Sequence, residues 1–218
     1  MDVFVVGDVH GCFYTFRRLI EEHWNPEKEI LVQLGDLIHK GPHSVKCLKF
    51  VWELKKEYPY QTYFLKGNHE FLFLKYYKQP SGKPELLEIR SQLRQSHIPV
   101  AEMANWLMQR PIKWETPYVH ISHAGVSKNT TNPYEEENQN GVLFNRNALK
   151  NLGKVQVLGH MILDEAKPLY KTAEMAWYID TGAWLNRCLT GIKLNYKGKY
   201  LGSHSVPTDI RDIRVGLI

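Results

Sequence analysis

Five short clusters of metal-type ligands punctuate the chain, each after an apolar, strand-like run: Gly7-Asp8-Val9-His10-Gly11, Gly35-Asp36, Gly67-Asn68-His69-Glu70, His123-Ala124-Gly125 and Gly159-His160. Carboxylate and amide oxygens and imidazole nitrogens are the hard and borderline donors that divalent cations take. Two cations about 3.5 to 4 Å apart need a bridging carboxylate and further ligands from different loops, and the chemistry of such a pair is phosphoester hydrolysis. Asp8, His10 and Asp36 are candidates for one metal, and Asn68 with two further histidines, sharing Asp36, for the other. A single Gly-Asp is by itself a turn with a capping carboxylate. The recurrence of strand, then ligand, is what points to a centre.

These ligands need a scaffold that delivers them to one edge. Val3-Phe4-Val5-Val6, Ile30-Leu31-Val32-Gln33-Leu34 and Thr62-Tyr63-Phe64-Leu65 read as strands that open into the first three clusters. Between them, Phe16, Leu19 and Ile20 predict a helix over Tyr14 to His23, and Val45, Leu48, Val51 and Leu54 a second one ending before Pro59. Two strand, helix, strand units imply parallel strands and a covered sheet, whose ligands gather at the carboxyl ends. From Phe71 to Arg110 the pattern is helical, broken by Pro80-Ser81-Gly82-Lys83-Pro84 and Pro99, and reads as an insertion at about 71–110. Strands return at Tyr118 to Ser122, Val155 to Leu158, Ala176 to Ile179 and Leu189 to Leu194, and the polar stretch Lys128 to Gly141 reads as a mobile surface loop. His120 competes with His123 as a ligand, but His120 lies within its strand and His123 at the exit, where the other ligands lie.

A chain of 218 residues with ordinary apolar content is expected to form one domain over 1–218. Its net charge of +5 suits anionic substrates, yet the basic residues are spread along the chain, so nucleic-acid binding is not expected. Cys12, Cys47 and Cys188 are odd in number and widely spaced, which argues against a disulfide framework and for a reducing cytoplasm. No window reaches the roughly 18 to 20 apolar residues of a membrane span, and the apolar start runs directly into the first ligand cluster and does not read as a leader.

The five clusters, in this order, resemble those of metallophosphoesterases of the phosphoprotein phosphatase superfamily. Phe144-Asn145-Arg146 and Tyr178-Ile179-Asp180-Thr181-Gly182-Ala183 extend the likeness to the small bacterial and phage serine/threonine protein phosphatases of the phage lambda type. The resemblance implies a four-layer αββα sandwich of two mixed sheets flanked by helices. It also implies a dinuclear centre, with Asp8, His10 and Asp36 on one metal and Asp36, Asn68, His123 and His160 on the other. Manganese is the first choice of metal, with iron or zinc as alternatives. By the same resemblance a metal-bridging hydroxide attacks phosphorus in line, His69 protonates the leaving group, and Asn68 and Arg146 help hold the phosphate oxygens.

The second motif departs from the family. Where the family has Gly-Asp-x-x-Asp-Arg-Gly, this chain reads Gly35-Asp36-Leu37-Ile38-His39-Lys40-Gly41. The missing acid ordinarily pairs with the catalytic histidine, whereas His39 can only hydrogen-bond neutrally or repel a second charge. Lys40 keeps the positive charge of the family's arginine but loses its fork geometry. The departure predicts a preference for good leaving groups, such as aryl phosphates or phosphoanhydrides. It also feeds a second reading, since symmetrical diadenosine tetraphosphatases often lack the same acid and carry a Gly-Pro-x-Ser continuation like Gly41-Pro42-His43-Ser44. A third reading is a metal- or phosphate-binding protein without turnover. The expected partner is thus a phosphorylated protein or a nucleotide. Glu70 and Asp180 are candidates for orienting ligands from behind, with helix capping and turn formation as the alternatives, and Cys12 reads as a buried filler rather than a redox site.

Overall fold

The computed structural model describes residues 1–79 and 83–214, so Pro80, Ser81 and Gly82 of the anticipated loop lie outside the described residues. The chain runs β1 (Asp2–Val6), α1 (Phe13–His23), β2 (Glu29–Gln33), α2 (Ser44–Glu57), β3 (Thr62–Phe64), α3 (Asn68–Tyr76), α4 (Pro84–Gln95), α5 (Val100–Met108), β4 (Lys113–Glu115) and β5 (Val119–Ser122). It continues through β6 (Val155–Leu158), β7 (Leu169–Lys171), β8 (Ala176–Tyr178), β9 (Cys188–Leu194) and β10 (Tyr200–Pro207). These strands form two mixed five-stranded sheets, ordered β10-β9-β1-β2-β3 and β4-β5-β6-β8-β7. The result is the α/β class anticipated, two mixed sheets flanked by helices.

Alternation along the strands explains the layering. In β1, Val3 and Val5 face the second sheet and join Val32, Val119, Ile121, Val157 and Ile192 in the core between the sheets. Phe4 and Val6 face the other way, into a larger core with Phe16 and Leu19 of α1, Leu48 and Val51 of α2, and Phe73 of α3. Both α4 and α5 contribute to that same core through Leu86, Ile89, Leu93, Met103 and Leu107, so these two helices thicken the layer over the first sheet. On the outer side of the second sheet, Leu149, Met161 and Leu163 from the connecting segments cover Leu158 and Tyr178, and Tyr134 lies against His120.

Parallel pairing is what gathers the ligands. β1 pairs with β2 and β2 with β3 in parallel, Val6 beside Gln33 and Gln33 beside Phe64, so Asp8, Asp36 and Asn68 emerge at one edge. In the second sheet β5, β6 and β8 are likewise parallel and release His123, His160 and Asp180 at their carboxyl ends. Three strands were not anticipated: β4, β7 and β10. The first two are three-residue edge strands of mixed polarity, and β10 alternates weakly because most of it is exposed.

The stretch Lys128 to Gly141 is polar and largely exposed, yet it is tied down at several points. Buried Lys66 reaches Glu136 with Nζ to Oε1 at 2.8 Å and to Oε2 at 3.0 Å, and Lys75 pairs with Glu137. The start of α1 is held from far along the chain. Cys12 provides no side-chain cap; instead the buried Asp212 carboxylate accepts from the Tyr14 and Thr15 amides and from the Thr15 hydroxyl, at 3.2, 2.8 and 2.7 Å. Asp212→Ala is therefore expected to destabilise the fold by about 2 to 3 kcal/mol, since it leaves buried donors unpartnered. A lower urea midpoint at unchanged slope is the expected reading, and Asp212→Asn is expected to lose less.

Candidate metal centre

The six anticipated ligands converge. Asp36 lies at the centre of them, its Oδ2 3.5 Å from His10 Nε2 and 3.4 Å from His123 Nε2. Beyond His123, Asn68 Oδ1 is 2.8 Å from His123 Nε2 and 3.1 Å from His160 Nδ1. Asp8 accepts the His160 amide through Oδ2 at 2.9 Å. Two ligand triads follow, His10 with Asp36 and His69, and Asp36 with His123 and His160; Asp36 belongs to both. His120, by contrast, is buried within β5 beside Glu115, with Nδ1 3.5 Å from its carboxylate, and belongs to neither triad.

Backbone contacts aim these side chains. His10 Nδ1 lies 3.1 Å from the Ile38 carbonyl and His123 Nδ1 3.1 Å from that of Leu34, so in each ring the Nδ1 hydrogen is donated and Nε2 is left as a lone-pair donor facing the cluster. Close approach requires glycine at two motif positions: a β-carbon on Gly67 would collide with Asp36, and one on Gly159 with Asp8 Oδ1. His10, Asp36, His39, Lys40 and His160 all occupy the left-handed region, with φ between 46° and 68°. Non-glycine residues there carry about 1 to 3 kcal/mol of strain each, which the surrounding contacts must hold in place.

Glu70 supplies much of that hold. Fully buried, it accepts the Gly67 and Asp36 amides on one oxygen, at 2.8 and 2.7 Å, and those of Leu37 and Ile38 on the other, at 2.9 and 3.3 Å. The first of these contacts caps the start of α3, with Glu70 reaching back to the Gly67 amide that precedes the helix. Both readings of Glu70 therefore apply: it caps a helix and it holds the loop of a candidate ligand. Asp180, also buried, accepts the Gly182 amide at 3.1 Å and repels Asp8.

The electrostatics are those of a site built around positive charge. Burial, then repulsion from Asp180 and Asp36, raises the pKa of Asp8; burial, then repulsion from Glu70, raises that of Asp36. Burial acts on Asp180 too, pushing it up to about 6 against the Gly182 amide and the Arg187 and Arg146 charges, which pull it down. The imidazoles shift the other way, chiefly through burial: His10 down to about 3, His160 to about 4, and His123 well below its ordinary value. Neutral imidazoles and crowded carboxylates are the states that bind divalent cations. Asp8 Oδ1 is buried with no hydrogen-bond partner, an acceptor aimed at nothing in the protein. The residues present thus fit a pair of divalent cations.

His69, Arg146, Lys40 and His39 border this cluster. His69 meets His10 edge to face at 4.8 Å, and its Nδ1 lies 2.8 Å from Nδ1 of His39, the residue standing where the family has an acid. Burial holds His69 down at about 2 and His39 at about 4, with Lys40 lowering both and Glu85 opposing the shift at His39, so the pair shares a single proton between the two nitrogens. Arg146 is exposed, and its charge acts on His160 and Asp180; the neighbouring Asn145 fixes the approach by donating to the Ala124 carbonyl at 3.3 Å. Lys40 lies over the Trp184 ring, 5.1 Å from its centroid. Neither Trp184 nor Lys66 was singled out from the sequence, although the turn Asp180-Thr181-Gly182 directly before Trp184 is a usable signal. Cys12 is fully buried, in agreement with a filler role.

The fold and this cluster are those of a metallophosphoesterase. Residues 1–198 match the model of the calcineurin-like phosphoesterase family, and the chain belongs to that family. It is 32% identical to serine/threonine-protein phosphatase 1 of Salmonella typhimurium over 203 residues, covering 86% of this chain and 89% of the relative. It is also 32% identical to the symmetrical bis(5'-nucleosyl)-tetraphosphatase of Glaesserella parasuis over 137 residues, 58% of this chain but 46% of the relative. The match thus spans less than half the length of that tetraphosphatase. Among solved structures, a putative diadenosine tetraphosphatase superposes with a TM-score of 0.66 at 21% identity, covering 96% and 94% of the two chains. A serine/threonine phosphatase from Saccharomyces cerevisiae gives 0.67 at 14%, covering 96% and 80%. At such identities the structures speak to fold alone.

Two outcomes follow from the geometry. Glu70→Ala is expected to weaken manganese binding by about 10- to 100-fold in titration calorimetry, with Glu70→Gln intermediate, because the Asp36 loop loses its common acceptor. The second concerns pH. Raised above 3.8 to about 6, Asp180 favours the metal-free fold below pH 3.8 and loses that contribution as pH rises through 6. Added manganese competes with such carboxylate protons but not with the already neutral His10 and His160, so the rise in Tm on metal addition is expected to be larger at pH 7 than at pH 5.

Proposed function

We propose that the protein is a metal-dependent phosphoprotein phosphatase. The observation that supports this most directly is the pair of candidate metal-binding triads that share Asp36, one of which brings His69 beside His10. The near full-length likeness to the Salmonella phosphatase favours a phosphoprotein substrate, with serine/threonine phosphatase activity the specific expectation. Asp8, His10 and Asp36 would hold one cation and Asp36, Asn68, His123 and His160 the other. Manganese is the first choice, with iron or zinc as alternatives; bound there, the pair would supply Lewis acidity and acidify water. Arg146 and Lys40 hold phosphate oxygens, the first through a guanidinium fork and the second as a point charge.

His69 holds the proton for the leaving group. With one proton between His39 and His69, the productive arrangement has His39 donating through Nδ1, which keeps the proton of His69 on Nε2, free to face the leaving oxygen. It also leaves the buried Nε2 of His39 as an unpartnered acceptor rather than an unpartnered donor. A neutral imidazole is a far weaker acid than the imidazolium that a carboxylate partner would support, so good leaving groups are favoured. His39→Asp is accordingly expected to raise turnover of a phosphoserine peptide about tenfold more than that of an aryl phosphate; equal or falling rates on both count against this role.

A second reading, hydrolysis of dinucleotide polyphosphates, is favoured by His39 and by the tetraphosphatase relatives. One assay separates the readings: manganese-dependent hydrolysis of a phosphopeptide, an aryl phosphate and diadenosine tetraphosphate side by side. Phosphopeptide turnover is the expected result. Dominant release of ADP would move the function to nucleotide hydrolysis, and metal binding without turnover of any substrate would leave a phosphate-binding protein.

A further inference from the structure

Lys66 is a buried ammonium at the edge of the ligand cluster. It directly precedes Gly67 and Asn68, its side chain is only 4% exposed, and its amide donates to the Pro111 carbonyl at 2.8 Å. A buried cation is costly unless it is paired and hydrogen-bonded. Among the described residues, the partners of that ammonium are the two carboxylate oxygens of Glu136, at 2.8 and 3.0 Å. Glu136 belongs to the polar stretch between Lys128 and Gly141, and its own side chain remains 38% exposed. The tie is therefore unequal: water can replace Lys66 at Glu136, but nothing described replaces Glu136 at Lys66.

From Glu136 the backbone leads to Arg146 with little slack. The limb around Glu136 lies directly on Gly141, where a β-carbon would stand 2.9 to 3.1 Å from the carbonyl oxygens of Pro133, Asn138 and Glu135. The Gly141 amide donates to Asn138 and the Val142 amide to Pro133, both at 2.8 Å. Val142 in turn accepts the amide of Ala124, the residue after His123, at 2.7 Å. The Asn145 amide returns to the Gly141 carbonyl at 3.0 Å, and the Phe144 ring meets Phe71 of α3 edge to face at 5.6 Å. Close packing of this kind transmits a displacement rather than absorbing it. The other tie of the stretch, Lys75 to Glu137, is exposed on both sides, at 43% and 69%, and such pairs contribute little.

We propose that Lys66 and Glu136 are positioning residues for anion binding: their pair sets the distance between Asn68 and Arg146, and with it the gap in which a tetrahedral oxyanion is held. Neither residue touches the anion. The proposal rests on the phosphoesterase reading, which gives Arg146 its phosphate oxygens, and adds the part that places the guanidinium. Arg146 is exposed, so packing around its own side chain does not hold it, and where the guanidinium stands depends on where its backbone is fixed. On one side of the gap, Lys66 is two residues from Asn68; on the other, the block that begins at Glu136 ends one residue before Arg146. A single buried ion pair joins the two sides.

The test is a double-mutant cycle on the binding of inorganic phosphate, titrated by calorimetry into the manganese-loaded full chain. Glu136→Gln is expected to weaken phosphate about fivefold when Arg146 is present and by less than about twofold in the Arg146→Ala background. Additive losses would overturn the proposal, because the pair would then act by a route other than Arg146, and so would an Arg146→Ala variant that binds phosphate as tightly as wild type. Glu137→Gln, in the exposed pair, is expected to leave phosphate affinity unchanged; an equal loss there would mean that the charge of the loop matters and the buried pair does not. Manganese binding is expected to be the same in Glu136→Gln as in wild type, and a parallel loss of manganese would place the effect at the metal ligands and sink the idea. With an aryl phosphate, Glu136→Gln is expected to raise KM about fivefold and to change kcat by less than about twofold, as for an interaction shared by ground and transition states. If wild type neither binds phosphate nor turns over the aryl phosphate, the phosphoesterase reading fails by itself.

Discussion

The carboxylate of Glu70 is the interaction on which the centre depends. One buried side chain accepts four backbone N–H groups from two loops that lie 29 to 31 positions apart in sequence, and so fixes the distance between the Asp36 turn and the start of α3. Hydrogen bonds to a charged acceptor are roughly twice as strong as neutral ones. They must be, because Asp36, His39 and Lys40 in one five-residue turn all take left-handed backbone, which costs a residue with a side chain free energy. The loop is strained, and Glu70 is the restraint. Asp36 in turn accepts the His69 amide at 2.9 Å, so the candidate bridging ligand and the candidate proton donor are positioned by a single reciprocal set of contacts.

Around that restraint the protein gathers charge it cannot neutralise with its own side chains. Asp8, Asp36, Glu70 and Asp180 lie buried in mutual range, and the imidazoles among them are pushed to neutrality by burial. A buried uncompensated charge is expensive, so the metal-free site holds protons where a cation would displace them. The cationic groups stand outside this ring, at Lys40 and Arg146, where a phosphate rather than a metal would meet them. Separation of an anionic floor from a cationic rim is the arrangement that receives a phosphate between metal ions and protein.

Much of this was legible in the sequence because parallel strands end on one edge, and a ligand after each strand is then a ligand at one place. That logic located Asp8, Asp36, Asn68, His123 and His160 together, and it separated His123 from His120 by position in the strand alone. What the motif could not show was distance between segments remote in sequence. The Lys66 to Glu136 pair, the Asp212 cap and the placement of Trp184 depend on contacts across 70, 197 and about 144 to 174 positions, and no local pattern encodes them. The strands β4, β7 and β10 escaped notice because edge strands bury one side weakly and so alternate weakly. The outer face of the second sheet is covered by connections whose composition reads only as loop.

The Asp212 cap bears on how the molecule comes into being. Residue 212 secures the start of α1, β9 pairs with β1, and the His160 amide secures Asp8, so the first ligand cluster acquires its native partners from segments 150 or more positions downstream. Chains dominated by such distant pairings fold slowly, because loop closure must precede the contacts that reward it. The first ligand cluster would emerge from a ribosome long before β9 and Asp212 exist to complete its surroundings. Its native geometry is therefore a late event, reached only after β9 and Asp212 are available.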